Sequence, residues 1–142
     1  MNGMNVRVGV ILFVENMEKM VSFYQNIMEF DTDWDGGLWA ELKTKSGPLA
    51  LAMYDRKSFA KAVGEPYYPS KGINLTMEIG IWLPKFSDVD KEYERLMALG
   101  IESFTGKPVT FPFGIRNFYI ADPEGNLLEI GSRGQEETSN GT

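Results

Sequence analysis

A carboxylate among apolar residues near the end of this chain is the first side chain in the sequence that could do chemistry. Residues 116–130 read as a strand, a tight turn at 122–126 and a second strand. Side chains alternate between the two faces of a strand, so Leu127 and Glu129 share one face. The Glu129 carboxylate therefore faces water or points into a cavity, where it could take up a proton or a cation. Which of these holds decides whether the protein has a site here.

The composition removes several other kinds of chemistry. The 142 residues include no histidine and no cysteine, which excludes Ser–His and Cys–His nucleophiles, thiolate zinc sites and disulfides. No glycine-rich phosphate loop follows a predicted strand, so nucleotide binding is not expected. The net charge of −6 argues against nucleic acid or an anionic membrane as partner. The acidic surface either only keeps the protein soluble or also attracts a cationic ligand.

Length and hydropathy predict one cytoplasmic domain with a core of its own. The content of 43% hydrophobic and 24% charged residues is ordinary for a globular protein. No apolar stretch reaches the length of a membrane span, and residues 1–7 lack the layout of a secretion signal. A chain of this size can bury enough surface to fold without disulfides.

The elements around the carboxylate occur in a repeated order. In the first half the pattern predicts a strand at 6–14, a helix at 17–28 capped by Asn16, and strands at 38–44 and 49–54. In the second half it predicts a strand at 75–83, a helix from Ser87 or Asp88 to Gly100, and strands at 101–105, 117–121 and 127–130. Between them, a short helix at 56–63 precedes a stretch broken by Gly and Pro. We read this as strand, helix and three strands, twice over. Two such units could cover each other's open sheet faces and enclose a cleft.

Three segments of this pattern resemble one superfamily. They are VGVILFVENMEKMVSFYQNIMEF, EIGIWLPKFSDVDKEYERLMALGI and NFYIADPEGNLLEI, at residues 8–30, 78–101 and 117–130. In this order and spacing they resemble the glyoxalase / bleomycin resistance / extradiol dioxygenase superfamily, also called vicinal oxygen chelate proteins. The resemblance implies an α+β fold of two paired βαβββ modules, forming a glyoxalase-like open barrel with a central cleft. The implied single domain covers 4–132, with module one at 4–56, a linker at 57–72, module two at 73–132 and a polar tail at 133–142.

The metal ligands of this superfamily are only half represented. In metal-using relatives the strands that open and close each module supply the ligands. The matching positions here are Gly9 and Glu78 at the openings, with Ala50 or Ala52 and Glu129 at the closings. A catalytic divalent ion typically needs three protein ligands, and imidazole is the usual one. We therefore expect no metal centre and no cofactor, although the two glutamates could weakly hold a hard ion such as Mg²⁺.

The resemblance also implies which side chains line the cleft. The expected ligand-binding residues are Ile11, Phe13, Trp82, Asn117, Tyr119 and Leu127, with Glu78 and Glu129 as the acidic pair. Trp39 and Phe113 are candidate rim residues, and the loop at 106–116 is expected to cap the cleft. Such a convergence of aromatic and polar groups on one concave face is typical of a small-molecule site.

Two carboxylates among aromatic side chains leave three uses open. If they lie close together, one of them would bind a proton near neutrality and could act as an acid or base. They could instead pair with a cationic ligand, with Trp82 and Tyr119 adding cation–π attraction. They could also accept hydrogen bonds from Arg7, Lys107 or Arg116, which would make the pair structural.

Three functional hypotheses follow from these uses. The first is a metal-independent binding protein of the bleomycin-resistance type that holds a small, cationic or antibiotic-like molecule and acts as a homodimer. The second is an enzyme, a lyase, isomerase or dioxygenase-like protein that uses Glu129 and Glu78 as base or weak metal ligands. In it, Asn117 and Tyr119 would donate hydrogen bonds to an oxyanion. The third is a structural or regulatory module whose cleft has degenerated. Fold resemblance does not separate them.

Overall fold

The chain divides into two compact units. The computed structural model describes residues 2–136 of the 142. The units are Met1–Ser70 and Lys71–Thr142, and each contains one four-stranded sheet. The polar tail predicted at 133–142 lies outside the described residues from position 137 onward.

The first unit is a sheet of strand order β1-β4-β3-β2. Its elements are β1 (Val10–Val14), α1 (Met17–Ser22) continued by a π-helical turn (Phe23–Ile27), β2 (Asp31–Thr32), β3 (Trp39–Thr44), β4 (Gly47–Asp55) and α2 (Arg56–Val63). Strands β1 and β4 are parallel, whereas the other two pairs are antiparallel. The predicted helix at 56–63 is confirmed at both ends.

The first helix forms where its cap and its apolar spacing predict. The Asn16 side chain accepts a hydrogen bond from the backbone N–H of Lys19 at 3.0 Å and so caps the helix start. Its buried face packs on the sheet through Met20, Val21 and Tyr24. These residues recur at spacings of three and four, which bring side chains to one side of a helix. One face of the first sheet is therefore closed by its own helix.

The second unit repeats this arrangement with strand order β5-β8-β7-β6. Its elements are β5 (Asn74–Trp82), α3 (Phe86–Ala98), β6 (Val109–Thr110), β7 (Arg116–Ala121) and β8 (Asn126–Ser132). Strands β5 and β8 are parallel, and the other two pairs are antiparallel.

Helix α3 covers one face of the second sheet. The buried side chains of that face come from β7 and β8, and those of the helix are Val89 and Leu96. The sheet members are Phe118, Ile120, Leu128 and Ile130. Arg116 is on this face too, and its guanidinium donates to both oxygens of Asp90 on the helix, at 3.0 and 2.6 Å. These hydrogen bonds hold the pKa of Asp90 below its ordinary value. The face that carries Glu129 is the opposite one.

Two predicted elements of the second unit are wrong. Residues 101–105, all of them described, form no strand, and the edge strand is Val109–Thr110, which the sequence places in a loop. The backbone N–H of Tyr119 donates to the hydroxyl of Thr105 at 3.2 Å, so a side chain takes the place of a ladder partner there. Helix α3 begins at Phe86 instead of after Ser87 or Asp88. The Asp88 carboxylate sits inside the first turn and accepts from the N–H of Lys85 at 3.0 Å.

The predicted fold class is confirmed. Each unit runs strand, helix and three strands, which gives an α+β fold of two βαβββ modules. That the modules form an open barrel around a central cleft stays a prediction. None of the helices within residues 2–136 combines the length and the apolar composition that a membrane span requires.

Candidate functional site

The face of the second sheet opposite α3 gathers most of the predicted site. Paired residues on neighbouring strands share a face. In the register, Glu129 lies beside Gly80 on one side and beside Tyr119 on the other. The predicted site residues on this face are Glu78, Trp82, Asn117, Tyr119, Leu127 and Glu129. The sequence therefore assigned their facing correctly within this unit.

Glu129 is a buried carboxylate held by an amide. Only 6% of the residue is exposed, and the Nδ2 group of the equally buried Asn117 donates to its Oε2 at 2.8 Å. Arg116 does not pair with it, because strand alternation places that guanidinium on the opposite face, against Asp90. Within the described part of the second unit, no lysine or arginine forms an ion pair with Glu129 or Glu78. The acidic pair thus lacks a basic partner from its own unit.

Glu78 lies on the same face of the sheet as Glu129, on the neighbouring strand β5, where it pairs with Leu127. Partial burial of its carboxyl group, the hydrogen bond with Glu129 and the negative charge of Glu129 all raise the pKa of Glu78, whereas a hydrogen bond from the Tyr119 hydroxyl lowers it. Two carboxyl groups at this range share a proton more readily than isolated ones do. The residue itself remains largely exposed. The pair therefore combines one enclosed carboxylate with one that a ligand can reach.

Tyr119 completes the polar cluster as a hydrogen-bond donor. Burial, together with the charges of Glu129 and Glu78, raises the pKa of Tyr119 to about 12. Its hydroxyl consequently keeps its proton at any physiological pH. A protonated phenol beside two carboxyl groups can donate to either of them or to an oxygen of a bound molecule.

The indole of Trp82 forms a wall next to the acidic pair. A Cβ at Gly80 would lie 2.9 Å from its Nε1, and one at Gly131 would lie 3.1 Å from its Cζ3. The ring therefore extends from one glycine to the other, over positions where a side chain would push it away. It is 48% exposed, and the guanidinium carbon of Arg133 lies 5.1 Å from its centroid. The indole thus already engages a cation of the protein itself.

Two predicted ligand-binding residues belong to the first unit. Ile11 is exposed and lines a surface cavity with a volume of about 300 Å³, together with Gly9, Trp39 and Glu41. Phe13 instead stacks on Phe59 of α2, with ring centroids 3.8 Å apart and planes 12° from parallel. The ring of Phe13 therefore packs against another residue of the first unit.

The two candidate rim residues are both exposed. Trp39 lies 6.0 Å, centroid to centroid, from Tyr54 on the neighbouring strand. Phe113 is 72% exposed and stacks on Phe111 at 5.3 Å, in the turn that joins β6 to β7. The predicted turn at 122–126 is held by the Asp122 carboxylate, which accepts from the backbone N–H groups of Glu124 and Asn126. The Asp122 carboxylate therefore stabilises the turn.

Sequence reasoning placed Gly80 on the face of Glu78 and Trp82 but missed Gly131 and Arg133 as parts of this site. Alternation places the two glycines on the face of Glu129, but nothing in the pattern says that an indole lies across them. Arg133 falls in the predicted polar tail. The available signal was its spacing of four from Glu129, which continues the same strand face beyond the end of β8.

The sequence of the chain matches a known protein family. The model of the Glyoxalase/Bleomycin resistance protein/Dioxygenase superfamily matches residues 7–130 of the chain. The chain belongs to this superfamily. The resemblance stated from the sequence is thereby confirmed. No curated protein matches the chain.

Solved structures of other superfamily proteins share the fold. A glyoxalase/bleomycin resistance protein/dioxygenase from Nocardioides is 24% identical, with a TM-score of 0.75 over 93% of this chain and 85% of that one. A glyoxalase-related enzyme from Fulvimarina pelagi is 19% identical, with a TM-score of 0.72 over 91% and 88%. A lactoylglutathione lyase from Agrobacterium tumefaciens is 19% identical, with a TM-score of 0.70 over 92% and 96%. At these identities the likeness concerns the fold alone.

The donor set does not fit the metal centre that the superfamily implies. Among residues 2–136, no three side chains of His, Cys, Asp or Glu come together in a way that could hold a metal ion. The first-unit positions that would supply ligands are Gly9 and Ala50 or Ala52, none of which has a donor atom in its side chain. Around Glu78 and Glu129 the further donors are a phenol and an amide. This set offers two carboxylates where a catalytic ion needs at least three ligands.

Proposed function

We propose that this superfamily member binds a small amphipathic molecule through a cationic group, without a metal ion, as proteins of the bleomycin-resistance type do. The observation that carries the proposal is the Glu78–Glu129 pair, which has no basic partner in its own unit. A buried carboxylate that lacks a counter-charge costs free energy. The ammonium or guanidinium group of a ligand would offset that cost by supplying the counter-charge.

The groups around the pair support a cation as the occupant. Asn117 fixes the orientation of the Glu129 carboxylate, and Tyr119 remains a protonated donor beside both acids. The half-exposed indole of Trp82 adds apolar surface beside the pair, although its cation–π attraction is already used by Arg133. Leu127 contributes apolar surface on the same side. An ammonium group attached to an apolar body is complementary to this combination.

Two further proposals concern the context of the protein. Members of this superfamily bind small molecules and often form dimers, and we propose that this chain is a homodimer. The cytoplasmic location stays a prediction from the sequence. The proposed domain limits also remain those of the sequence pattern, with modules at 4–56 and 73–132.

Calorimetric titration tests the binding proposal. Octylamine and a cationic glycopeptide serve as probes, because both carry an ammonium group and apolar surface. We expect Glu129→Gln to weaken binding of each by about tenfold or more, since charged hydrogen bonds contribute about 1.5–3 kcal/mol. The control is Glu94→Gln, which removes the same charge from an exposed position on α3 and should leave both affinities unchanged. Equal affinities of the wild type and Glu129→Gln would refute the proposal.

A second candidate function is a lyase or isomerase, and the pKa of Glu78 favours it. A carboxylate with a raised pKa is a better base, and it could remove a proton from the carbon next to a carbonyl group. The Tyr119 hydroxyl, held protonated, could then donate to the enolate oxygen. Exchange of the carbon-bound protons of hydroxyacetone in D₂O, followed by NMR, measures this step. Exchange catalysed by the wild type and lost in Glu78→Gln would support the lyase or isomerase function. Exchange by the wild type no faster than in buffer alone would refute it.

A further inference from the structure

One strand face of the second unit carries opposite charges at its two ends. Along β8 and its continuation, Glu129, Gly131 and Arg133 follow at every second position. The backbone of the middle residue is covered by the Trp82 indole, and the guanidinium of Arg133 lies over that same ring at 5.1 Å. The order along the face is therefore carboxyl pair, indole, guanidinium.

The guanidinium end is not neutralised inside the described structure. No carboxylate within residues 2–136 forms an ion pair with Arg133, whose guanidinium lies over the Trp82 ring in a cation–π contact. A guanidinium has five N–H donors, two of which a carboxylate can accept from at once. Arg133 can therefore hold an anionic group while its guanidinium remains over the indole.

A concave surface accompanies this end of the face. This cavity has a volume of about 320 Å³ and is lined by Trp82, Leu83, Pro84, Arg133, Gln135 and Glu136. Three of the lining residues are apolar and three are polar or charged, which suits a polar head group attached to an apolar chain. Trp82 is the wall shared by this concavity and the acidic pair.

The geometry points to a zwitterionic ligand, in which an ammonium group binds at Glu78 and Glu129 and a carboxylate binds at Arg133. This inference rests on the proposed cation binding and adds the second charge and its position. The Arg133 guanidinium lies 5.1 Å from the centre of the indole, and the indole reaches Gly80, the residue that pairs with Glu129. The two charged groups of the ligand are therefore separated by an apolar spacer about as long as the indole.

Matched pairs of probes isolate the contribution of the carboxylate. Calorimetry compares 8-aminooctanoate with octylamine, and glycine with methylamine, at low ionic strength. In the wild type we expect the carboxylate to tighten binding of the longer amine about three- to fivefold, the range of an exposed ion pair. The two charged groups of glycine are one carbon apart, so glycine cannot span the indole and should gain nothing over methylamine.

Variants of Arg133 complete the test. Arg133→Gln should abolish the advantage of 8-aminooctanoate and leave octylamine no weaker than before, whereas Lys107→Gln, which removes an exposed positive charge elsewhere in the unit, should preserve it. If 8-aminooctanoate and octylamine bind the wild type equally, or if the advantage survives in Arg133→Gln, the zwitterion inference is wrong and the cation proposal stands. If neither probe binds, both are wrong.

Discussion

The chemistry of the site depends on how four side chains satisfy each other. Asn117 donates one N–H to Glu129, and Tyr119 supplies one hydroxyl proton to a cluster that contains two carboxyl groups. Fully ionised, Glu78 and Glu129 present more lone pairs than these donors can fill. Within this unit a proton or a ligand cation would supply the positive charge. Burial of the Glu78 carboxyl group, and then its hydrogen bond and charge interaction with Glu129, raise the pKa of Glu78 and so favour either one.

Replacing Glu78 by Gln should stabilise the protein at neutral pH. Because the pKa of Glu78 in the fold is raised above the ordinary value of 4.5, its contribution to stability is complete below that pH and is lost as the pH rises through the folded pKa. Gln removes the repulsion and can still accept from Tyr119. We expect a gain below about 1 kcal/mol, because Glu78 is exposed to solvent.

Urea denaturation of Glu78→Gln and the wild type at several pH values measures this effect. The difference in unfolding free energy should be largest at neutral pH and shrink as the pH falls toward 4.5. A variant that is less stable than the wild type at neutral pH would show that the two carboxyl groups do not repel each other in the fold.

At this scale the sequence predicts facing better than contacts. Strand alternation places Glu78, Trp82 and Glu129 on one face, and the structure has them there. Alternation carries no information on the direction in which a long side chain lies along the sheet. The passage of the indole over Gly80 and Gly131, and its stack with Arg133, therefore had no signal in the pattern.

Among the elements, the β7–β8 turn fixes where β5 enters the second sheet. Gly125 has φ +84°, and its backbone passes so close to Gly72 that an added Cβ would lie 1.9 Å from the Gly72 carbonyl oxygen. The carbonyl of Gly125 accepts from the N–H of Asn74 at 2.7 Å. This contact sets the start of β5, the strand that carries Glu78 on the face of Glu129.

Gly125→Ala should destabilise the protein far more than a glycine replacement with the same backbone strain alone. The methyl group would overlap a backbone oxygen, which cannot move without breaking the bond to Asn74, so we expect a loss of about 3 kcal/mol or more. Gly114→Ala is the matched control, because Gly114 has φ +90° and open space around its Cα. It should lose only about 1–2 kcal/mol. Equal losses of unfolding free energy in urea denaturation would mean that the close approach of Gly125 to Gly72 contributes nothing to stability.

The elements were predicted well where local signals agree and poorly where they compete. Helix α1 has both a cap and an apolar face, and it starts where those signals place it. At 101–105 an apolar alternation suggested a strand, but the Thr105 hydroxyl takes the N–H of Tyr119 that such a strand would need. The short β6 pairs through two residues, a length at which sequence periodicity gives no signal.

For the whole molecule, exposed apolar side chains are the feature that bears on assembly. Val8 in the first unit and Leu75 in the second are each about four-fifths exposed, and Phe113 is also largely exposed. A protein–protein interface would bury side chains such as these. Their exposure is the structural support for the proposed homodimer.

Sedimentation equilibrium over a range of protein concentrations measures the oligomeric state. We expect a species of twice the 16.0 kDa chain mass. Replacing Leu75 by Lys should shift the equilibrium toward the monomer, whereas Lys at Glu94, on the exposed surface of α3, should leave it unchanged. A wild-type protein that sediments as a monomer at all concentrations would contradict the proposal.

The central claim is that the Glu78–Glu129 pair binds a cation directly, and calorimetry on chelator-treated protein tests it most directly. Octylamine is titrated into the metal-free protein in two buffers of different ionisation enthalpy. We predict binding in both buffers and loss of binding in Glu129→Gln. Octylamine that fails to bind the metal-free protein, or binds it only after a divalent ion is restored, would contradict the account.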